Sequence, residues 1–301
     1  MKTSWENPIR LGLITLLASF LAAPAYLTAG DGRGDTRIPL TEMGASTTYK
    51  GFHGGLYEDG SNEMPQEHRS AGVERTAKVQ PLDASGKPSR DGKIVFLGIG
   101  MSNAWLIYTG MMFVANQTEG VNHSTLSILN GGEGAATTCF WGVAQGQPGQ
   151  CPSPSRPINQ YDRVKDGVLT PAGATEQQVQ AIWVLEANAR PGKSERPLCD
   201  PSQHGCKNDH GTEAIRFETM LGEVMRAARK RYPNLQMVFI SSREDAGFAT
   251  AELNPEPFAY EYGYSVKWLI EAQIQQMKTG KVNPVAGDLK YDSSSPWLAW
   301  G

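Results

Sequence analysis

Lys93-Ile94-Val95-Phe96-Leu97-Gly98-Ile99-Gly100-Met101-Ser102-Asn103 is the stretch whose reading decides the fold. Lys93 to Gly98 is a short apolar run closed by glycine, the form of a strand buried on both faces. Beyond it, Ser102 to Val114 carries Trp105, Leu106, Met112 and Phe113 at near-helical spacing. A strand that exits through glycines into a helix is the opening of a parallel α/β unit, so the same alternation is expected downstream.

It is there. Ser124 to Asn130 and Gln180 to Ala187 read as a second and third strand, and Leu235 to Ser241 as a fourth. Thr212 to Arg231 places Ile215, Met220, Leu221, Val224 and Met225 on one side of a helix that Pro233 stops. Its last turn holds Arg229, Lys230 and Arg231, a solvated end facing its own dipole or, alternatively, a docking patch. Glu261 to Met277 is a further helix, with Val266, Leu269, Ile270 and Ile274 inward. Apolar strands alternating with helices predict an α/β fold, a parallel sheet covered on both sides. Asn283 to Gly301 reads as loop, and the two tryptophans of Trp297-Leu298-Ala299-Trp300 are unusual on a surface. Upstream, residues 30–92 lack periodicity and read as an extended, poorly structured arm; its Arg33-Gly34-Asp35 reads as an ordinary polar loop.

The first thirty residues read as an address. Lys2 and Arg10 flank an apolar core from Leu11 to Leu21, and Ala23-Pro24-Ala25 has the small-x-small form of a signal-peptidase site, with a second cut possible after Ala29. Residues 1–29 are therefore expected to be a signal peptide, the protein secreted or periplasmic, and no membrane anchor to remain after cleavage. Export makes the four cysteines, Cys139, Cys151, Cys199 and Cys206, candidates for disulfides. The expected pairing is local, Cys139 with Cys151 and Cys199 with Cys206. No C-x-x-C spacing supports a zinc site, so no metal is expected. A formal net charge of −3 offers nothing to attract a polyanion, which argues against nucleic acid as a partner.

In open parallel sheets, sites form beyond the carboxyl ends of the strands. After the first strand, Ser102 opens a helix, where its hydroxyl meets the positive end of the helix dipole; it is a candidate nucleophile or a simple cap. The Gly98-x-Gly100 pair lacks the third glycine and the lysine of nucleotide-binding loops. After the second strand, Asn130-Gly131-Gly132-Glu133-Gly134 can present bare N–H groups to an oxyanion, or be a plain flexible loop. After the third, the Asn188 amide can supply another donor, or hold a buried turn. Asn103 and Gly132 are candidate substrate contacts, while Arg243 and Glu244, just after the fourth strand, read as solvated loop charges or, alternatively, line the crevice and touch substrate.

Ser102, Gly134 and Asn188, in that order after successive strands, resemble the first three blocks of the SGNH (GDSL-like) hydrolase superfamily. The stretches VQAIWVLEANARPG (residues 179–192), YPNLQMVFISSREDAGFATAELNPEPFAYEYGYSVKWLIEAQI (232–274) and SPWLAWG (295–301) are similar to a largely uncharacterised, often secreted bacterial branch of it. The resemblance covers residues 93–301. It implies a three-layer α/β/α sandwich with a flavodoxin-like sheet, and cofactor-free hydrolysis of an acyl or acetyl ester, small or on a glycan. Ser102 would be the nucleophile, and its N–H would join Gly134 (or Gly132 in its place) and Asn188 in the oxyanion hole. Gly100-Met101-Ser102-Asn103 departs from the usual Gly-Asp-Ser and resembles the Gly-x-Ser-Asn form of carbohydrate acetylesterase branches. Gly205-Cys206-Lys207-Asn208-Asp209 mimics the third block, but no strand precedes it.

The fourth block, Asp-x-x-His, has no counterpart: no histidine follows His210. On this reading the sequence is truncated, the C-terminal strand and helix are missing and the serine lacks its base. His204 and His210 are the nearest substitutes by position, while His53, His68 and His123 read as ordinary surface or loop residues. The alternative is a non-catalytic secreted binding protein on the same fold.

Overall fold

A computed structural model describes residues 37–142, 159–191, 196–199, 212–247, 249 and 253–301. The signal-peptide segment, Arg33-Gly34-Asp35, Cys151, Cys206, His204 and His210 lie outside the described residues. The elements in chain order are α1 (Leu40–Met43), β1 (Thr48–Tyr49), β2 (Phe52–His53), α2 (Gln66–Thr76), β3 (Ile94–Gly100), α3 (Ser102–Gln117), β4 (Leu126–Asn130), α4 (Gln160–Val164), β5 (Val179–Leu185), α5 (Glu213–Arg231), β6 (Met237–Ser241), α6 (Phe258–Thr279) and β7 (Trp297–Trp300).

β1 and β2 form a small antiparallel hairpin. The other strands make one five-stranded sheet in the order β4-β3-β5-β6-β7, every neighbouring pair parallel. Helices flank it on both faces, as expected of a three-layer α/β/α arrangement. The order reverses between β3 and β5, so the crevice at their carboxyl ends is the switch point where such sheets hold their sites.

The alternation of side chains along the strands sorts the two faces. Val95, Leu97, Ile99, Ile182, Val184, Val238, Ile240 and Leu298 point to one side and are buried with Tyr161, Phe217, Leu221, Val224, Met225, Val266, Leu269 and Ile270 of α4, α5 and α6. On the other side, α2 packs against β6 and β7, and α3 against β3, β4 and β5. Phe96, Trp183 and Phe239 on that side are only half-buried. The amphipathic helices end where their sequences say. Tyr232, ahead of Pro233, leaves the helical region at φ −112°, ψ 90°. Gly280 closes α6 in the left-handed conformation at φ 71°, its N–H donating to the Gln276 carbonyl at 2.8 Å.

Three expectations change. The C-terminal segment is not loop: Trp297–Trp300 is β7, the fifth strand, paired with β6. Its tryptophans find cover, with Trp297 donating from Nε1 to the His68 carbonyl at 3.0 Å and Trp300 to the Leu56 carbonyl at 2.8 Å. The strand is illegible in the sequence because four apolar residues in a row, after a run of Asp and Ser, show no period. The upstream arm is not irregular throughout, since α2 within it supplies part of that cover. Its period is hard to see because α2 is mostly polar and buries only His68, Ala71 and Gly72. His68 is therefore no surface residue: it is buried, its ring stacks on Trp297 at 5.0 Å, and Nε2 lies 2.7 Å from the Leu298 carbonyl.

Among the described residues no cysteine is free: Cys139 and Cys199 are disulfide-bonded, while their expected partners lie outside the description. No described helix is long and apolar enough to cross a membrane.

Candidate functional site

β3 brings the chain to the carboxyl edge and Gly100 turns it. At φ 138° this residue sits where side chains are strained, and a Cβ would lie 2.1 Å from the Leu185 carbonyl oxygen. The turn leaves Ser102 exposed as the first residue of α3. Met101 stands at the cap position with no side-chain hydrogen bond to the helix, so the first N–H groups of α3 carry no side-chain cap. A hydroxyl beside uncapped N–H groups is in a field that favours negative charge on it.

Around Ser102 the structure gathers Asn103, Glu244 and Arg243. The Ser102 Oγ lies 3.5 Å from Asn103 Oδ1, the outer limit for a hydrogen bond. Asn103 Nδ2 donates to Glu244 Oε2 at 3.1 Å, and Arg243 donates to the same oxygen. Glu244 follows β6, so these bonds reach across β5 and tie the loop after β6 to the start of α3. The Arg243 side chain is nine-tenths buried, and its Nε has no partner among the described residues.

The loop after β4 closes the other side. Gly131 N–H donates to the Gly98 carbonyl at 2.7 Å and Glu133 N–H to the Gly100 carbonyl at 3.0 Å. A Cβ on Gly132 would lie 2.9 Å from the Trp105 backbone, so only glycine lets the loop touch α3 there. Asn130 is the clamp: its Nδ2 donates to the Trp105 carbonyl and to Thr109 Oγ1, and its Oδ1 accepts the Gly132 N–H at 3.0 Å. That bond engages the Gly132 N–H. Gly134 is exposed one turn further on.

Asn188 is placed differently. It is buried, and its amide Nδ2 donates to Glu213 Oε1 at 2.8 Å and to Met220 Sδ at 3.4 Å. Its N–H donates to Tyr262 Oη at 3.3 Å, while the Tyr262 hydroxyl donates to the same Glu213 oxygen at 2.6 Å. The buried-turn role, rather than a donor shared with Ser102, is the one this geometry serves. Sequence reasoning missed Glu213 and Tyr262 as its partners because they lie 25 and 74 residues away. The clamp at Asn130 was more legible, since an Asn ahead of two glycines is a turn-forming signal.

Glu186, just beyond β5, is buried, and neither its carboxylate oxygens nor the Thr138 hydroxyl makes a hydrogen bond among the described residues. Burial holds its carboxyl well above the ordinary range. Among the described histidines none bonds to Ser102: His68 is held under β7, and His53 and His123 are exposed. No group of three or more His, Cys, Asp or Glu among the described residues is placed to hold a metal. The chemistry this edge offers is a hydroxyl at a helix N-terminus, an amide, and a carboxylate–guanidinium pair. Comparison with protein families, with curated proteins and with solved structures finds no match to this chain.

Proposed function

We propose that the protein is an exported serine esterase of SGNH type, acting on an acyl or acetyl ester, small or carried on a glycan, through an acyl-enzyme. The observation that carries the reading is Ser102, exposed at the uncapped N-terminus of α3 and at the switch point of a parallel sheet. Its hydroxyl oxygen would attack the ester carbonyl and give up its proton to water, while the N–H groups opening α3 would meet the charge on the carbonyl oxygen. The ester C–O bond would then break to release the alcohol, and a water would free the acid from Ser102. Asn103, held by Glu244, keeps an amide oxygen on the Ser102 side and would orient the hydroxyl. The reading rests on the sequence resemblance as well as on this placement.

A second reading is favoured by one specific observation. No imidazole among the described residues bonds to Ser102, and a serine without a base stays protonated and attacks poorly. A non-catalytic binding protein on the same fold would have this arrangement.

Hydrolysis of short-chain p-nitrophenyl esters by the full chain and by Ser102→Ala tests both. Loss of activity by about three orders of magnitude or more in the variant is expected of the nucleophile. Equal activity in both proteins removes Ser102 from the chemistry. Absence of activity in both favours the binding protein.

A further inference from the structure

The edge of the sheet opposite Ser102 carries a cationic pocket that the esterase reading does not use. The end of α5 and the loop leading into β7 border a cavity of about 360 Å³, lined by Arg226, Arg229, Lys230, Pro233, Ser293 and Ser294. Pro233 precedes β6 and the two serines precede β7, so the cavity lies at the amino ends of these parallel strands. Gly301 follows β7 at the other end.

The basic residues at this end of α5 are not alike. Arg231 is paired twice, with Asp162 at 2.7 Å and with Glu176. Arg226, Arg229 and Lys230 make no ion pair among the described residues. Nor do the two guanidiniums cap their own helix. Arg226 donates to the Ala286 carbonyl at 2.7 Å and Arg229 to the Pro233 carbonyl, both outside α5. Cations that answered only the helix dipole would face its last carbonyls. The nearest acids are engaged elsewhere. Asp288 accepts from the Gln276 amide at 2.6 Å and from the Ser294 hydroxyl, while Asp292 accepts from the Ser293 hydroxyl at 3.3 Å and lies 3.8 Å from Lys290 Nζ. Glu223, one turn ahead of Arg226, is exposed. Arg75, at the end of α2 with its guanidinium 4.7 Å from the centre of the Tyr291 ring, adds positive charge beside Arg229. Burial lowers the pKa of Arg226 and of Arg229, and Arg75 lowers that of Arg229 further. Cations gathered against both burial and mutual repulsion are stabilised by an anion between them.

The lining identifies the anion. Two guanidinium forks with most of their N–H donors unspent match the oxygens of a phosphate, and a lysine adds a point charge. Apart from Pro233 the lining is polar, so an acyl chain or an aromatic ring would find little to bury against, and the volume is at the small end for a ligand site. We infer that this pocket binds a phosphate group, as inorganic phosphate or as the monoester of a small sugar, with Arg226 and Arg229 donating to its oxygens and Lys230 adding charge at the rim. The site stands apart from Ser102, and its occupancy does not depend on the esterase reading.

The test is isothermal titration of the full chain at about 0.15 M salt, with inorganic phosphate and with glucose 6-phosphate as ligands. The proteins compared are the natural chain, Arg229→Gln, Lys230→Gln and Lys165→Gln, the last removing an exposed cation that does not line the pocket. Thermal melts check that each variant is folded. The expected result is a single class of site, weakened about tenfold or more by Arg229→Gln, several-fold by Lys230→Gln and not at all by Lys165→Gln. Tighter binding of glucose 6-phosphate than of phosphate would show that the pocket takes the sugar ester, and equal or weaker binding that it takes the free anion. Failure of the natural chain to bind either ligand up to about 10 mM overturns the inference. So does equal weakening by all three variants, because the attraction would then be a diffuse effect of net charge. If Arg229→Gln unfolds, Lys230→Gln decides, since Lys230 is exposed and its loss spares the packing: binding equal to that of the natural chain would then sink the site.

Discussion

The two faces of the sheet are built to different standards. The face under α4, α5 and α6 is closed: Leu97, Ile182, Val184, Val238 and Leu298 have no measurable exposure, and the helices above them bury matching apolar stripes. The face under α2 and α3 is half open, with Phe96, Trp183 and Phe239 partly bare and the outer side of α3 uncovered. A parallel sheet needs both faces covered to satisfy its apolar side chains. The difference teaches that, among the described residues, tight packing is concentrated on one face, while Ser102 opens a helix on the other.

The sharpest way to break that contrast is to make a cavity on the closed face. Ile240→Ala is expected to lower the unfolding free energy by about 2–5 kcal/mol, the range for emptying a tightly packed site. Urea denaturation measures it. A cost near zero would mean that the closed face is not the core.

A second test uses the acids buried between α5 and α6. Burial first, and then Glu271, pushes the Glu218 carboxyl up to about 8, and burial pushes Glu271 up to about 7. The folded state then holds a proton that the unfolded chain, with a Glu near 4.3, has already released. Stability therefore falls as pH rises from the unfolded value to about 8, and levels off above it. Glu218→Gln should flatten this slope and gain, relative to the natural chain, on the order of a few kcal/mol between about pH 5 and pH 9. Parallel curves for the two proteins would show that Glu218 is ionised throughout.

His68 gives a smaller effect of opposite sign, and from the open face. Burial lowers its pKa from the ordinary value, partly offset by the Leu298 carbonyl. The fold keeps the ring neutral, so its contribution is present above the unfolded pKa near 6.5 and is lost as pH falls through the folded one. Below about pH 6.5 the natural chain should lose about 1 kcal/mol per pH unit more than His68→Gln does, over the width of the shift. Equal acid slopes in paired thermal melts would mean that the ring charges without leaving Trp297.

The legible parts of the sequence follow the same division. The main closed-face elements could be read, because α5 and α6 keep their apolar residues at helical spacing and β3, β5 and β6 are continuous apolar runs. Ser102, Asn130 and Gly132 could be placed at the carboxyl edge by the same logic. What could not be read depended on partners distant in the chain. β7 becomes a strand only beside β6, α2 is held by Trp297 more than 200 residues later, and Asn188 turns to Glu213 and Tyr262 instead of toward Ser102. Local pattern carries no information about such pairs, and a polar helix such as α2 hides its buried face among charges.

The smallest expected effect carries as much weight as the largest. Leu106→Ala removes an apolar side chain of the same bulk as Ile240, but from the open side of α3, where it is 60% exposed. Alanine keeps the helix propensity, and there is little packing to lose. The change in unfolding free energy should stay within about 0.5 kcal/mol. A loss approaching that of Ile240→Ala would mean that α3 is covered in solution, and the asymmetry of the two faces would then vanish. A neutral result leaves an exposed leucine that the packing of the described residues does not require.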